Sequence, residues 1–296
     1  NDLDGGKSFN ESLSKFPEVF SPIFTAMVAA GEESGNLAKS LKIIGDQLEK
    51  SYNLRRKVRG ALSYPAVVIV AMFIIGVLMM TFVVPNLVAT FKEFKVELPL
   101  PTQIIMFASD MLVNYGFYVV VLTIIFGFIL FKLLKTKKGG RVKDFISLHL
   151  PLIGGITKEM NTAIVTRTLS SLLSSGVNMV RAISITESVA NNSYYKEILR
   201  DAGRGVEKGL ALSSFFVNNE PLFPILAGEF TEVGEETGQL VQMLQNVADF
   251  YEGEVDAITK DMSTIIEPAL MVFMGIAVGF FAVSIIQPIY SLTSAI

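Results

Sequence analysis

Cysteine and tryptophan are absent from the 296-residue sequence, and histidine occurs once, at position 149. Without cysteine the chain has no disulfide, no thiolate metal ligand and no cysteine nucleophile. His149 stands between two leucines, and we expect it to be structural rather than a ligand or a base. No serine has the partners that nucleophilic catalysis requires. The sequence therefore predicts no catalytic residue, no metal site and no cofactor.

Charged residues are also scarce, at 18% of the chain, while 51% of residues are hydrophobic and the mean hydropathy is +0.49. The net charge is −3 and the pI is near 5.4, which argues against nucleic acid as a partner because phosphate binding requires a concentrated basic face. The composition is too apolar for one soluble globule. It predicts an integral membrane protein with sizeable soluble parts.

Three apolar runs lack charged residues over about the length needed to cross a bilayer. They centre on Tyr64–Val84, Tyr115–Phe131 and Pro268–Pro288. The first lies far inside the chain and is longer than the apolar part of a signal peptide. We therefore predict three transmembrane helices.

The distribution of lysine and arginine predicts the orientation of these spans. The loop between the first two spans has only two basic residues, Lys92 and Lys95. The segment before the first span and the segment after the second span are both rich in basic residues. Residues 1–60 and 139–262 should be cytoplasmic, and the tail after the third span should be external. The basic residues on the two flanks are Arg55, Arg56, Lys57 and Arg59 before the first span, and Lys132, Lys135, Lys137, Lys138, Arg141 and Lys143 after the second.

A long internal duplication is the most informative feature. Residues 6–85 reappear without a gap at 209–288, and the two copies of Gly-Glu-Glu-Ser/Thr-Gly, at 31–35 and 234–238, give an offset of 234 − 31 = 203. This period is far longer than the 20–50 residues or so of solenoid repeats, so it indicates a duplicated domain. The same offset relates Phe20 to Phe223, Leu41 to Leu244, Asp46 to Asp249, Glu49 to Glu252, Pro65 to Pro268, Gly76 to Gly279 and Pro85 to Pro288.

These observations predict an all-α membrane protein with three transmembrane helices and two homologous cytoplasmic helical bundles. The second bundle should contain about six helices. The first is shorter and lacks a counterpart of 164–204, so we expect a full-length form to carry an upstream segment that resembles Arg167-Thr-Leu-Ser-Ser-Leu-Leu-Ser-Ser-Gly-Val. The predicted segments are 1–62 (partial cytoplasmic domain 1), 63–86 (first span), 87–113 (external loop), 114–134 (second span), 135–264 (cytoplasmic domain 2), 265–290 (third span) and 291–296 (external tail).

Prolines flank the first and third spans. Pro65 and Pro268 can occupy the first turn of a membrane helix, where the missing N–H costs nothing, and we expect them to act as hinges at the span entrances. Pro85 and Pro288 should stop the same helices at their far ends.

The repeated Gly-Glu-Glu-Ser/Thr-Gly motif has three interpretations. Glycines four apart on one helical face favour close packing, which is the simplest. A metal or acid–base site is disfavoured because adjacent glutamates on a helix point about 100° apart. The third interpretation is a helix-terminal or interdomain ion-pair group that also shapes a partner surface. The motif residues are Gly31, Glu32, Glu33 and Gly35, with Gly234, Glu235, Glu236 and Gly238.

The duplicated motif, the proline at each span entrance and the Arg167-Thr-Leu-Ser run together resemble the F-domain platform proteins of type II secretion and type IV pilus machines. The resemblance covers nearly the whole chain, in the family's order. It implies a multi-pass, non-enzymatic protein of the bacterial inner membrane that couples a cytoplasmic hexameric assembly ATPase to insertion of pilin or pseudopilin helices into a growing fibre. Arg55 and Arg56, together with the motif, are then expected at a partner interface.

The resemblance further implies contacts with pilin or pseudopilin transmembrane helices, other inner-membrane assembly proteins, membrane lipid and a second or third copy of the chain. A transporter or permease subunit is the alternative. It predicts ionisable groups inside the spans, whose cores are uncharged. A membrane scaffold unrelated to secretion is a third possibility, but it leaves the duplication unexplained.

Overall fold

The computed structural model describes residues 8–93, 99–151 and 153–294, and within these ranges the chain is helical, without a strand. The predicted all-α class is confirmed. In chain order the helices are α1 (Phe9–Ser14), α2 (Pro22–Glu33), α3 (Leu37–Leu78), α4 (Val84–Glu93), α5 (Leu100–Lys135), α6 (Lys137–His149), α7 (Ile153–Ser174), α8 (Met179–Val189), α9 (Ser193–Glu207), α10 (Leu212–Val217), α11 (Ile225–Thr237) and α12 (Leu240–Ser294).

The duplication appears in the helix boundaries. Helices α1, α2 and α3 begin at residues 9, 22 and 37, and α10, α11 and α12 begin at 212, 225 and 240. Each difference (212 − 9, 225 − 22 and 240 − 37) is 203. We call α1–α3 the first copy and α10–α12 the second copy. Equivalent sequence therefore forms equivalent helices.

Residues 1–58 and 134–259 form one compact unit. Its largest buried side chains include Tyr195, Phe216 and Phe223. The rings of Phe216 and Phe223 stack with centroids 4.3 Å apart, and Tyr195 meets Phe223 edge-on at 4.9 Å. Such aromatic pairs add to the stabilisation from buried apolar area.

The two separate cytoplasmic bundles predicted from the sequence are not confirmed. Helix α2 of the first copy packs against α7 and α8, and its Met27 and Val28 are fully buried. The apolar face of the first copy is thus covered by helices that lie between the two copies in the sequence. The physical reason is that α1–α3 alone is too small to bury its own core.

Residues 59–133 and 260–296 form the second unit. Within the part of the chain that the structure describes, three helical stretches are long and apolar enough to cross a membrane: Leu37–Val88, Leu100–Lys135 and Leu240–Gln287. Each includes all or nearly all of one predicted apolar run, as expected for three transmembrane helices.

The expected positions of the prolines are wrong. Pro65 lies inside α3 and Pro268 inside α12, so neither occupies a first turn. Pro85 is the second residue of α4, and α12 continues past Pro288 to Ser294. Helices tolerate proline within membranes when neighbouring groups satisfy the freed backbone carbonyls.

A π-helical turn, Met79–Val83, precedes Pro85. In this turn the N–H of Val84 donates to the carbonyl of Met79 rather than to that of Met80. Pro85 has no N–H to replace it. The hydroxyl of Ser109 on α5 donates to the Met80 carbonyl at 2.6 Å. A neighbouring helix thus satisfies a carbonyl that the proline and the π turn leave without a helical donor.

The second copy has a related contact at Ser284, which is repeat-equivalent to Thr81 (284 − 203 = 81). Pro288 follows Ser284 by four residues, so the Ser284 carbonyl has no α-helical donor. The hydroxyl of Thr102 on α5 donates to that carbonyl at 2.7 Å. Thr102 and Ser109 are seven residues apart and so lie on one face of α5. Helix α5 therefore hydrogen-bonds to both repeat-related membrane helices next to their prolines.

The segment expected as an external loop, 87–113, is helical at 87–93 and from 100 onward. Apolar packing accounts for the difference, because Val84 and Val88 of α4 form a buried cluster with Ile105 of α5. The external position of this segment remains a prediction.

Candidate functional site on the repeated helical copies

The first glutamate of each repeated motif binds the start of the short helix that opens its copy. The carboxylate of Glu32 accepts hydrogen bonds from the backbone N–H groups of Phe9 and Asn10, at 2.6 and 2.8 Å. A negative charge is favourable here because the first N–H groups of a helix have no partner within it.

The second copy repeats this geometry. The carboxylate of Glu235 accepts from the N–H groups of Leu212 and Ser213, at 2.7 and 3.0 Å. Both glutamates are half-buried. Each links the end of the second helix of its copy to the beginning of the first.

The two glycines of each motif have different structural roles. A Cβ atom at Gly31 would lie 2.7 Å from the Cβ of Ser40, and one at Gly234 would lie 2.9 Å from the Cα of Leu240. These glycines allow the second and third helices of each copy to approach closely. Gly35 and Gly238 have left-handed φ angles of 68° and 70°, a conformation that glycine adopts without strain.

The expectation that both glycines share one helical face is therefore wrong. Gly35 lies beyond α2, where the N–H of the next residue, Asn36, donates to the carbonyl of Gly31 at 2.9 Å. This bond closes the C-terminal turn of α2. The four-residue spacing reflects a helix end rather than a packing stripe.

The second glutamates and the two arginines are exposed. Glu33 and Glu236 lie on the surface at the ends of α2 and α11, and Arg55 and Arg56 lie on the surface of α3. Among the described residues, no ion pair joins these arginines to the motif. A shared partner interface for these residues therefore remains a prediction.

A buried arginine connects α7 to the second copy, although the sequence predicted no structural role for it. The side chain of Arg167 is only 4% exposed. Its Nε and Nη2 atoms donate to the two oxygens of Glu252 at 2.8 and 2.9 Å, and Nη2 also bonds to Asp249. Lys50 of the first copy reaches the same aspartate at 2.8 Å. Burial lowers the pKa of Arg167, but its bonds to the two carboxylates outweigh burial and leave that pKa raised.

A neutral contact lies beside this cluster. The side-chain amide of Gln47 donates to Thr168 at 3.2 Å and its oxygen accepts from Ser171 at 3.0 Å. A polar cavity of about 550 Å³ adjoins these groups and is lined in part by Asp46 and Glu49. Among the described residues no group of three or more histidine, cysteine or acidic side chains could hold a metal ion.

The repeat contained a signal for the arginine cluster. The offset of 203 relates Asp46 and Glu49 to Asp249 and Glu252, so both copies retain acidic residues three apart. Arg167 interrupts an otherwise uncharged stretch of α7, and a lone charge in such a stretch requires partners when buried. The sequence did not reveal which of the two acidic pairs would meet it.

Comparison with known proteins identifies the family. The family model described as "Type II secretion system (T2SS), protein F" matches residues 1–85 and 165–288. The chain belongs to the type II secretion system protein F family. Relatives in this family include a type IV pilus assembly protein PilC of Thermus thermophilus, 35% identical over 98% of this chain and 71% of the relative.

Two further relatives are named for type IV pilus assembly and for type II secretion. The type IV pilus assembly protein PilC of Pseudomonas aeruginosa is 33% identical over 100% of this chain and 79% of the relative. The type II secretion system protein F of Aeromonas hydrophila is 34% identical over 98% of this chain and 75% of the relative. Both parts of the family match end at repeat-equivalent prolines, Pro85 and Pro288.

Proposed function

We propose that this protein is a platform of the bacterial inner membrane that couples a cytoplasmic hexameric assembly ATPase to the insertion of pilin or pseudopilin helices into a growing fibre. Family membership is the observation that carries the proposal, because the named relatives belong to type IV pilus assembly and type II secretion. We assign no catalytic step to the chain itself. The bulk of residues 1–60 and 139–262 would face the cytosol.

The continuity of α3 and α12 supports a coupling role. Each helix begins in polar sequence and continues, without a break at Pro65 or Pro268, into an apolar run. A displacement at the polar end of such a helix is carried along its axis. Proline within a helix is the usual point of bending, so we propose these two residues as the hinges of the movement.

A groove in the membrane unit supports lateral contact with a pilin or pseudopilin helix. Its volume is about 420 Å³, and its walls include Met72, Gly76, Met79 and Met274. Methionine side chains are flexible and adapt to different partners, while glycine permits close helix approach. Membrane lipid would occupy the groove when no helix is bound.

The cytoplasmic surface offers exposed charges for the ATPase. We propose Arg55 and Arg56, with Glu33 and Glu236, as contact positions, because all four side chains are exposed. Glu32 and Glu235 would act on this surface indirectly, by holding the short helices in place. Other inner-membrane assembly proteins and one or two further copies of the chain would complete the platform.

Co-purification tests the proposal. The full-length protein in detergent is mixed with the assembly ATPase encoded beside it, and both complex formation and ATP turnover are measured. We expect binding and a rise in turnover, both lost in the double variant Arg55→Glu, Arg56→Glu. The matched control is Lys208→Glu, which reverses an exposed charge elsewhere on the same unit and should leave binding unchanged.

Two results would overturn parts of the proposal. Binding that survives the double arginine variant would place the ATPase contact elsewhere. An absence of any association, together with solute flux when the protein is placed in liposomes, would favour the transporter or permease alternative.

A further inference from the structure

Helix α6 presents an apolar stripe to solvent. Val142, Phe145 and Ile146 are 55%, 48% and 51% exposed. With 3.6 residues per turn, these three residues and His149 fall within an arc of about 100°. The ring of His149 stacks on that of Phe145 with centroids 4.0 Å apart, which extends the stripe along the helix.

The opposite face of α6 is held by the protein. Leu148 and Asp144 are buried, and the carboxylate of Asp144 accepts from the N–H of Ser193 at 2.8 Å. Asn192 also donates to the backbone carbonyl of Asp144, at 3.5 Å. The helix is therefore fixed in orientation, and its outer stripe is not needed for its attachment.

Basic residues flank the stripe on both sides. Around the helix axis, Arg141 and Lys143 lie about 100° to either side of Val142, and Lys138 lies one turn before it. All three side chains are exposed, and Arg141 also pairs with Glu197 at 2.8 Å. An apolar stripe with a basic residue on each side and another at its N-terminal end is typical of helices that lie in a membrane interface rich in anionic lipid.

The chain connection brings this helix to a membrane end. Helix α5, one of the three helices long enough to span, ends at Lys135, and α6 begins at Lys137. The hydroxyl of Thr136 between them accepts from the N–H of Gly139 at 3.1 Å and caps α6. The predicted second span ends at residue 134, so α6 begins within three residues (137 − 134), about 10 Å of chain, of the expected membrane surface.

We propose that α6 is an interfacial helix that inserts Val142, Phe145 and Ile146 at the boundary between headgroups and acyl chains of anionic phospholipid. Lys138, Arg141 and Lys143 contact the phosphates. The proposal is independent of the function proposed above and requires only that α5 spans the membrane. Charge complementarity and the position directly after a span favour lipid over a protein partner as the occupant.

The absence of tryptophan and cysteine from the chain makes the test direct. Phe145→Trp introduces a single tryptophan, which is excited at wavelengths that tyrosine does not absorb, and the protein is placed in vesicles of phosphatidylglycerol and phosphatidylcholine with bromine on the upper acyl carbons. We expect blue-shifted emission and strong quenching by the brominated lipid. The matched control is Phe250→Trp, a similarly exposed aromatic that precedes the predicted start of the third span by 265 − 250 = 15 residues, or about 22 Å of helix.

Lysine variants test the charge requirement. Each lysine near an anionic surface contributes roughly fivefold to the ratio of inserted to free helix, so Lys138→Gln and Lys143→Gln, each combined with Phe145→Trp, should reduce the quenching of the introduced tryptophan. Vesicles of phosphatidylcholine alone should reduce it as well. Unchanged quenching in those vesicles would overturn the requirement for anionic lipid.

A second label tests whether the introduced tryptophan itself causes the insertion. A spin label on Ile146→Cys should be accessible to oxygen and shielded from a water-soluble nickel reagent. Two results together would show that the stripe faces water or a protein and that the proposal is wrong. The tryptophan at position 145 would have the same emission and the same quenching as the Phe250→Trp control, and the spin label would be accessible to the nickel reagent.

Discussion

The carboxylates of Glu32 and Glu235 each bind a helix N-terminus, so a substitution in one copy can be compared with the same substitution in the other. Replacing Glu235 by glutamine removes the negative charge and leaves one acceptor for two N–H groups, those of Leu212 and Ser213. A hydrogen bond to a charged group contributes about 1.5–3 kcal/mol. Since the glutamine retains one neutral bond, we expect Glu235→Gln to destabilise the start of α10 by about 2 kcal/mol.

Hydrogen exchange measures this loss of stability at the start of α10 itself. A free-energy change of about 2 kcal/mol corresponds to roughly thirtyfold faster exchange through local opening. We expect that increase in peptides covering the start of α10, with little change in peptides covering α1. Glu32→Gln should give the reverse result, so each variant serves as the control for the other. Glu236→Gln, at an exposed neighbour, should change stability by less than about 0.5 kcal/mol.

Three outcomes would refute the reasoning. Unchanged exchange at the start of α10 in Glu235→Gln would show that the two backbone bonds contribute no stability. Faster exchange throughout the unit would show that the residue acts globally rather than at one helix end. An equal effect from Glu236→Gln would mean that charge near the helix, rather than the bonds, is responsible.

Other substitutions test the remaining contacts. Arg167→Met should cost about 2–4 kcal/mol in heat denaturation, because it leaves the carboxylates of Glu252 and Asp249 without their buried partner; a change below about 1 kcal/mol would contradict this. Burial first, and then the charge of Glu254, raises the pKa of Glu159, whose Oε2 is buried without a hydrogen-bond partner among the described residues. A carboxyl group whose pKa is higher in the folded state than in the unfolded state destabilises the fold as the pH rises above its unfolded pKa. The full loss of stability is reached above its folded pKa. Glu159→Gln should therefore stabilise the protein at pH 8, by no more than about 1 kcal/mol because the rest of the side chain is partly exposed and screened by solvent, and the gain should vanish at acid pH. Ser109→Ala should cost about 0.6–1.7 kcal/mol in detergent unfolding, and a double-mutant cycle with Pro85→Ala should show coupling, since the alanine N–H restores a helical donor; additive costs would refute the role of the hydroxyl.

Much of the fold follows from local sequence. The offset between the two copies predicted equivalent helices, and α1–α3 and α10–α12 begin at equivalent residues. The three apolar runs predicted the membrane helices, because about 20 consecutive apolar residues have few other stable environments. Proline was the main local error. Its intrinsic preference for helix ends was overridden at Pro65, Pro268 and Pro288. Next to Pro85 and Pro288, hydroxyls on α5 bond to carbonyls that lack a helical donor.

The candidate site was only partly predictable. The repeated motif was visible, yet the sequence could not show that Glu32 and Glu235 reach back about 22 residues to the start of another helix. Nor could it show that Gly35 and Gly238 end a helix while Gly31 and Gly234 allow close contact. These distinctions depend on where the chain turns after α2 and α11.

By itself the sequence determined the class, the duplication, the number of spans and the family resemblance, because periodicity, apolar length and repetition are properties of neighbouring residues. Only the tertiary structure decided that the first copy packs on α7 and α8, that Arg167 joins Glu252 and Asp249, and that α6 leaves an apolar stripe exposed. Each of these depends on contacts between residues far apart in the chain. Such contacts are selected by the shared burial of whole helical faces rather than by local preference.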